Sequence, residues 1–184
     1  MNLLLDGQGL ALLRGGRLLF EGVDVALAAG AGLHLTGPNG IGKSSLIRLV
    51  AGLLQPTAGT LRRSEAALAD EALALDRELP LRAALAFWKG RALGEAMAAF
   101  ELDRLAEVPV RLLSTGQRKR AVLARVLASG APLWLLDEPL NGLDRDGVER
   151  LTAAVAAHRA AGGAVLAASH VPLAGEWQTL ELGA

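Results

Sequence analysis

The sequence has no cysteine, which removes disulfide frameworks, zinc fingers and iron–sulfur sites and fits a reducing compartment. It has no tyrosine and only 3% aromatic residues, a poor endowment for stacking on single-stranded bases. Neither sign of charge is in excess. The 19 Lys and Arg balance 19 Asp and Glu, so no global field holds nucleic acid or anionic lipid. No nucleic-acid partner is expected, and any polyanion must be gripped locally. Long apolar runs are also missing: the 52% hydrophobic share is largely Ala and Leu spread among charges. No stretch approaches the roughly 18 apolar residues of a membrane-spanning helix. Residues 1–9 carry Asp6 and lack a basic n-region, so no signal peptide is expected and the chain reads as cytosolic.

What remains suits a single domain of 184 residues with at most a small appended lobe. Apolar runs at 10–13, 18–20 and 23–27, punctuated by glycines, predict an antiparallel edge sheet. Residues 30–36 predict a strand entering a glycine-rich turn, followed by a helix from Ser44 and another strand at 60–63. The Ala-rich, charge-laced stretch from Ser64 has helical patterning at 80–89, 94–100 and 102–107, and Pro109 ends it. An amphipathic helix at 116–128 is closed by Gly130. The continuous apolar run 133–137 predicts a central parallel strand. A helix at 146–161, a strand at 164–169 and an edge strand at 178–182 complete a doubly wound α/β core with its site at the carboxyl ends of the strands.

The chemistry begins at Gly37-Pro38-Asn39-Gly40-Ile41-Gly42-Lys43-Ser44, followed by Ser45, which fits G-x-x-x-x-G-K-[ST] between a predicted strand and helix. Glycines let successive N–H groups turn inward around an anion, the helix N-terminus adds its positive end, and Lys43 supplies a cation. The Ser44 hydroxyl is a candidate ligand for Mg²⁺ carried by a nucleotide. At the end of run 133–137, Asp137 is placed to reach that metal and Glu138 to orient an attacking water.

Leu113-Ser114-Thr115-Gly116-Gln117, just ahead of the basic helix, resembles the LSGGQ signature of ABC-type ATPases, with Thr115 in place of the first Gly. Asn141-Gly142-Leu143-Asp144 is similar to that family's D-loop, and Ser169-His170 to its switch histidine. The resemblance spans Gly37 to His170. It implies an α/β P-loop ATPase with an antiparallel N-terminal β subdomain and a small inserted helical subdomain at about 64–128, between core segments 1–63 and 129–184. It also implies ATP and Mg²⁺ as cofactors, and a head-to-tail homodimer in which Ser114, Thr115, Gly116 and Gln117 of one copy cap the nucleotide on the other. Asp144 would serve the D-loop and His170 would sense the γ-phosphate. The physics agrees: Ser114, the Gly116 N–H and the helix start form a second anion site that needs a phosphate from elsewhere.

Other features admit bland readings. His34 and His158 read as structural, and Trp134 as core. The run Arg118-Lys119-Arg120 reads as a solvated helix face or ion-pair partner. Phe87-Trp88 either fills the lobe's core or forms a docking surface.

Two family features are missing. With no tyrosine to stack on adenine, Arg14 is the candidate substitute. No Gln stands at the Q-loop: Gln55 is too early, and Asp70, Glu71 and Asp76 occupy the region. These carboxylates can ligate Mg²⁺ but cannot donate to phosphate. Within the family, the string from Ala131 to Pro139, the Arg14-x-x-Arg17-x-Leu19-Phe20 segment and the Leu113–Arg120 arrangement look most like the heme-exporter ATPases of cytochrome c maturation. That likeness implies an integral membrane permease as partner and a place on the cytoplasmic face of the bacterial inner membrane. Another small-substrate transporter ATPase, or a soluble ABC ATPase or nucleotide switch without a permease, stays open as an alternative.

Overall fold

The computed structural model describes residues 3–183. The chain opens with a hairpin, β1 (Leu3–Arg14) and β2 (Arg17–Ala28), turning at Gly15-Gly16. It crosses to a second sheet as β3 (Gly32–Thr36), forms α1 (Lys43–Val50), and returns as β4 (Ala58–Arg63) on the free side of β1. The first sheet is thus antiparallel with order β2-β1-β4. Its strands outrun the short apolar runs predicted, because register irregularities absorb polar and glycine positions into one continuous ladder.

Next comes β5 (Ala66–Ala69), which pairs in parallel with β6 (Leu133–Asp137). The stretch expected to be helical from Ser64 therefore opens with a strand of the parallel sheet. Ala-Ala-Leu-Ala has no β-branched or aromatic residue to announce a strand, and pairing with β6 overrides its weak propensity. The lobe that follows holds α2 (Leu81–Ala86), α3 (Leu93–Ala99) and two 3₁₀ turns at Asp103–Leu105 and Val110–Leu112. The helix predicted at 102–107 is only the first of these turns, since Glu101 ahead of it has φ 50° and breaks helical geometry.

α4 (Thr115–Ser129) leads back to β6, then α5 (Arg145–Ala160), β7 (Ala164–Ala168) and β8 (Gln178–Glu181). The parallel sheet has order β5-β6-β7-β3-β8. Alternation along β6 sends Leu133 and Leu135 into a core shared with α1 and the antiparallel sheet, while Trp134 and Leu136 enter a second core with α4, α5 and the lobe. Covered on both faces, β3, β6 and β7 deliver Thr36, Asp137 and Ala168 at one rim of the sheet. No helix among the described residues is long and apolar enough to cross a membrane.

Candidate nucleotide site

The loop between β3 and α1 forms half of the site. Gly42 has φ 118°, a backbone that side-chain-bearing residues rarely adopt, and it stands at the N-cap of α1 with no side chain capping the helix. The first-turn N–H groups of α1 are therefore left for a ligand. Lys43 is buried at 8% exposure and folds back, its Nζ donating to the carbonyls of Gly37 at 2.7 Å and Pro38 at 3.0 Å. These are neutral acceptors that an anionic phosphate outcompetes. A cavity of about 410 Å³ lies over the loop, lined by Asn39, Gly40, Gly42, Lys43, Ser44 and Ser45, with Arg14, Leu19, Glu138 and His170. Arg14 thus stands at the site, brought there by the hairpin end, and its side chain is exposed. Pro38 is exposed at the loop's crest and Ile41 packs beside the core below it.

The end of β6 forms the chemistry. The Ser44 hydroxyl donates to Asp137 Oδ1 at 3.1 Å. Asp137 is 4% exposed, and burial raises its pKa; the Ser44 hydrogen bond and Arg48 pull it down, while the charges of Glu138 and Asp70 push it further up. A half-compensated carboxylate beside a hydroxyl, both hard oxygen donors, fits a divalent magnesium ion brought by a nucleotide. Among the described residues no group of three or more His, Cys, Asp or Glu is arranged to hold a metal unaided. Ser44 and Asp137 would supply only part of such an ion's coordination.

Glu138 has φ 45°, in the left-handed region, which costs of order 1–3 kcal/mol for such a residue and is a common mark of a functional position. Its Oε1 lies 3.4 Å from His170 Nε2. The structure therefore brings together Gly37 through Ser45, Asp137, Glu138, His170 and Arg14.

The segment 113–117 lies elsewhere: none of its residues lines the cavity over the loop. Leu113 is buried, whereas Ser114 and Thr115 are exposed. The Ser114 side chain accepts from the Gln117 N–H at 3.2 Å, and the Gln117 side chain accepts from the Ser114 N–H at 2.8 Å, a capping box that starts α4. A hydroxyl that accepts one N–H still has its own proton to donate. At Gly116 a Cβ would come within 3.0 Å of the Gly142 carbonyl, so the absence of a side chain lets the 141–144 turn pack onto this helix start. Asp144 caps α5, accepting from the Gly147 N–H at 2.8 Å. An Asp just before a periodic helix is itself the sequence signal for this cap.

Of the acidic residues at the Q-loop position, Asp70 follows β5 and, by the Ala69–Leu136 register, stands beside Asp137, 3.7 Å from Arg48. Glu71 faces a second cavity of about 430 Å³ on the other side of Glu138, with Thr115 and Lys119. Asp76 does not join them; it accepts from the Glu78 N–H within its own loop.

Within the basic run Arg120 is an ion-pair partner, 3.9 Å from Asp146, whereas Lys119 donates to the neutral Glu138 carbonyl at 2.8 Å. His34 bonds the Ser169 carbonyl, and His158 stacks on buried Trp134 at 3.9 Å, so both histidines are structural. Phe87 and Trp88 are 76% and 45% exposed, which answers the core-or-surface question in favour of surface.

The chain matches the ABC transporter family over residues 20–141. It is 58% identical over 181 residues to the cytochrome c biogenesis ATP-binding export protein CcmA of Sphingopyxis alaskensis, covering 95% of this chain and 93% of that protein. It is 62% identical over 168 residues to the protein of the same name from Novosphingobium aromaticivorans, covering 90% and 87%. A putative ABC transporter ATP-binding protein from Pyrococcus furiosus shares the fold at TM-score 0.83 and 20% identity, over 97% of this chain and 96% of that one. An ATP binding subunit of an ABC transporter likewise matches at TM-score 0.83 and 24% identity, over 91% and 80%. The chain belongs to the ABC transporter family, as an ATP-binding, ATP-hydrolysing subunit of the CcmA group.

Proposed function

We propose that this chain powers the export step of cytochrome c biogenesis that delivers heme, as a homodimer attached to an integral membrane permease on the cytoplasmic face of the bacterial inner membrane. The family supports the ATPase activity, and the names of relatives that match nearly end to end support the pathway. The observation that carries the mechanism is the division of the phosphate-binding groups. Asn39, Gly40 and Gly42 through Ser45 line a cavity of their own chain, whereas none of Ser114 through Gln117 lines it and Ser114 and Thr115 are exposed.

In this reading Lys43 leaves the Gly37 and Pro38 carbonyls for the β and γ phosphates of ATP, and Arg14 stacks on the base. Ser44 and Asp137 would hold Mg²⁺, which would supply charge neutralisation at the phosphates. Ser114 of a second copy donates its free hydroxyl to the γ-phosphate, beside the Gly116 N–H. Asp144 keeps the turn at 141–144 in register with that helix start. Glu138 polarises the attacking water, and His170 holds the γ-phosphate in line with it. Closure around ATP and reopening after hydrolysis move the lobe, whose exposed Phe87 and Trp88 meet the permease.

Complementation tests the reading. In a bacterium deleted for its own copy of this subunit, expression of the chain restores c-type cytochromes and Lys43→Ala does not. Restoration by Lys43→Ala, or restored ATP turnover in membranes with no cytochrome c, would count against it.

A further inference from the structure

Glu138 is held in an improbable backbone. A residue ahead of proline is normally extended, yet Glu138, followed by Pro139, has φ 45°. Its main chain is restrained from both sides. The N–H donates to the Ala168 carbonyl at the end of β7, at 2.8 Å. The carbonyl accepts from the local Asn141 N–H at 3.3 Å and, more closely, from Lys119 Nζ at 2.8 Å. Lys119 belongs to α4, the helix whose first turn is the outward-facing Ser114 capping box. A rigid helical segment of little more than one turn therefore runs from Ser114 to the group that grips Glu138.

We propose that Lys119 is a positioning residue for hydrolysis: by bonding the Glu138 carbonyl it fixes the backbone from which the Glu138 carboxylate is aimed, and so ties that carboxylate to the signature end of α4. The inference rests on the reading of Glu138 as the water-polarising group. Lys119 does not line the nucleotide cavity; it faces the second cavity, across Glu138, so it acts through Glu138 rather than on ATP. Its surroundings suit a retained cation. Burial lowers its pKa, and the charges of Asp137, Glu138, Asp70 and Glu71 oppose that loss. A ligand that shifts the start of α4 also shifts the Lys119 ammonium, and with it the peptide plane at Glu138.

The test is steady-state ATP turnover of the full chain with three substitutions. Lys119→Met keeps the stem and removes the donor; it should lower kcat about tenfold or more while KM for ATP stays within about twofold, the signature of a misaimed group rather than a lost binding contact. Lys119→Gln keeps a donor without the charge and should recover most of kcat. Should the Met variant fail to accumulate folded, Lys119→Asn, polar but too short to reach, serves the same comparison with Gln. Adding Lys119→Met to Glu138→Gln should lower the residual rate no further, because both act on one group.

Wild-type kcat in Lys119→Met, equal loss in Lys119→Gln, or a multiplicative loss in the double variant would overturn the proposal. Wild-type turnover in Glu138→Gln would instead remove the reading beneath it. Abolished turnover in Glu138→Gln together with full turnover in Lys119→Met would remove this inference alone.

Discussion

Two helix N-termini would carry the phosphate chemistry under the proposed function, and they are finished differently. α1 begins at Gly42 with no side-chain cap, its N–H groups open to a cavity and its Lys43 parked on neutral carbonyls. α4 begins at Ser114 with both members of a capping box satisfied within the chain, at the exposed surface. The first has no side chain of its own capping the helix start and is shaped to receive a ligand. The second is stable without any ligand and has one hydroxyl proton to spare, so it is suited to a phosphate presented from outside. A helix start left open costs stability and gains binding, whereas one that is closed gives up binding strength for folding.

The largest expected effect falls on the open end. Lys43→Ala removes the buried cation, and since a hydrogen bond to a charged group contributes about 1.5–3 kcal/mol, ATP affinity by titration calorimetry should fall about 10- to 100-fold or more. Ser114→Glu, at the closed end, should leave the ATP affinity of the isolated chain within about twofold and abolish turnover, since a carboxylate there repels a triphosphate from a second copy. If both variants lost binding equally, the distinction between the two ends would collapse.

A smaller effect follows from Asp137. Its folded pKa is raised by burial, so the stability it contributes is present below the ordinary carboxylate range and is lost as pH rises through the raised value. Near neutral pH the ionised group is a net cost to the nucleotide-free fold. Asp137→Asn should therefore raise Tm at pH 7, with the gap from wild type narrowing toward acid pH, while Mg-ATP no longer raises Tm. A lower Tm for Asp137→Asn would show that the open end is not under electrostatic strain. The smallest effect is Ser114→Ala, which should cost about 1 kcal/mol of stability through the lost cap. Thermal melts of the nucleotide-free chain would register it.

How much of this was legible in the sequence varies with distance along the chain. The loop at Gly37 through Ser44 is contiguous, and its glycine spacing states its backbone geometry. β6 is announced by an unbroken apolar run that ends in Asp137. Both could be read because each is a local pattern. β5 could not, since its three alanines and one leucine become a strand only by pairing with β6, more than sixty positions later. The Lys119 contact was hidden for the same reason: a basic run on an amphipathic helix does not say which carbonyl will be packed beneath it. Nor does Glu138-Pro139 foretell a left-handed backbone, because local preference points the other way and long-range bonds to β7 and α4 prevail.

The central claim is that one triphosphate is held between two copies of this chain. Sedimentation velocity of Glu138→Gln, expected to bind ATP and to lose most of its hydrolysis, measures it directly. The account predicts a monomer alone, a dimer with ATP, and a monomer again when Ser114→Glu is added in the presence of ATP. A monomer in all three conditions, or a dimer that survives Ser114→Glu, would contradict it.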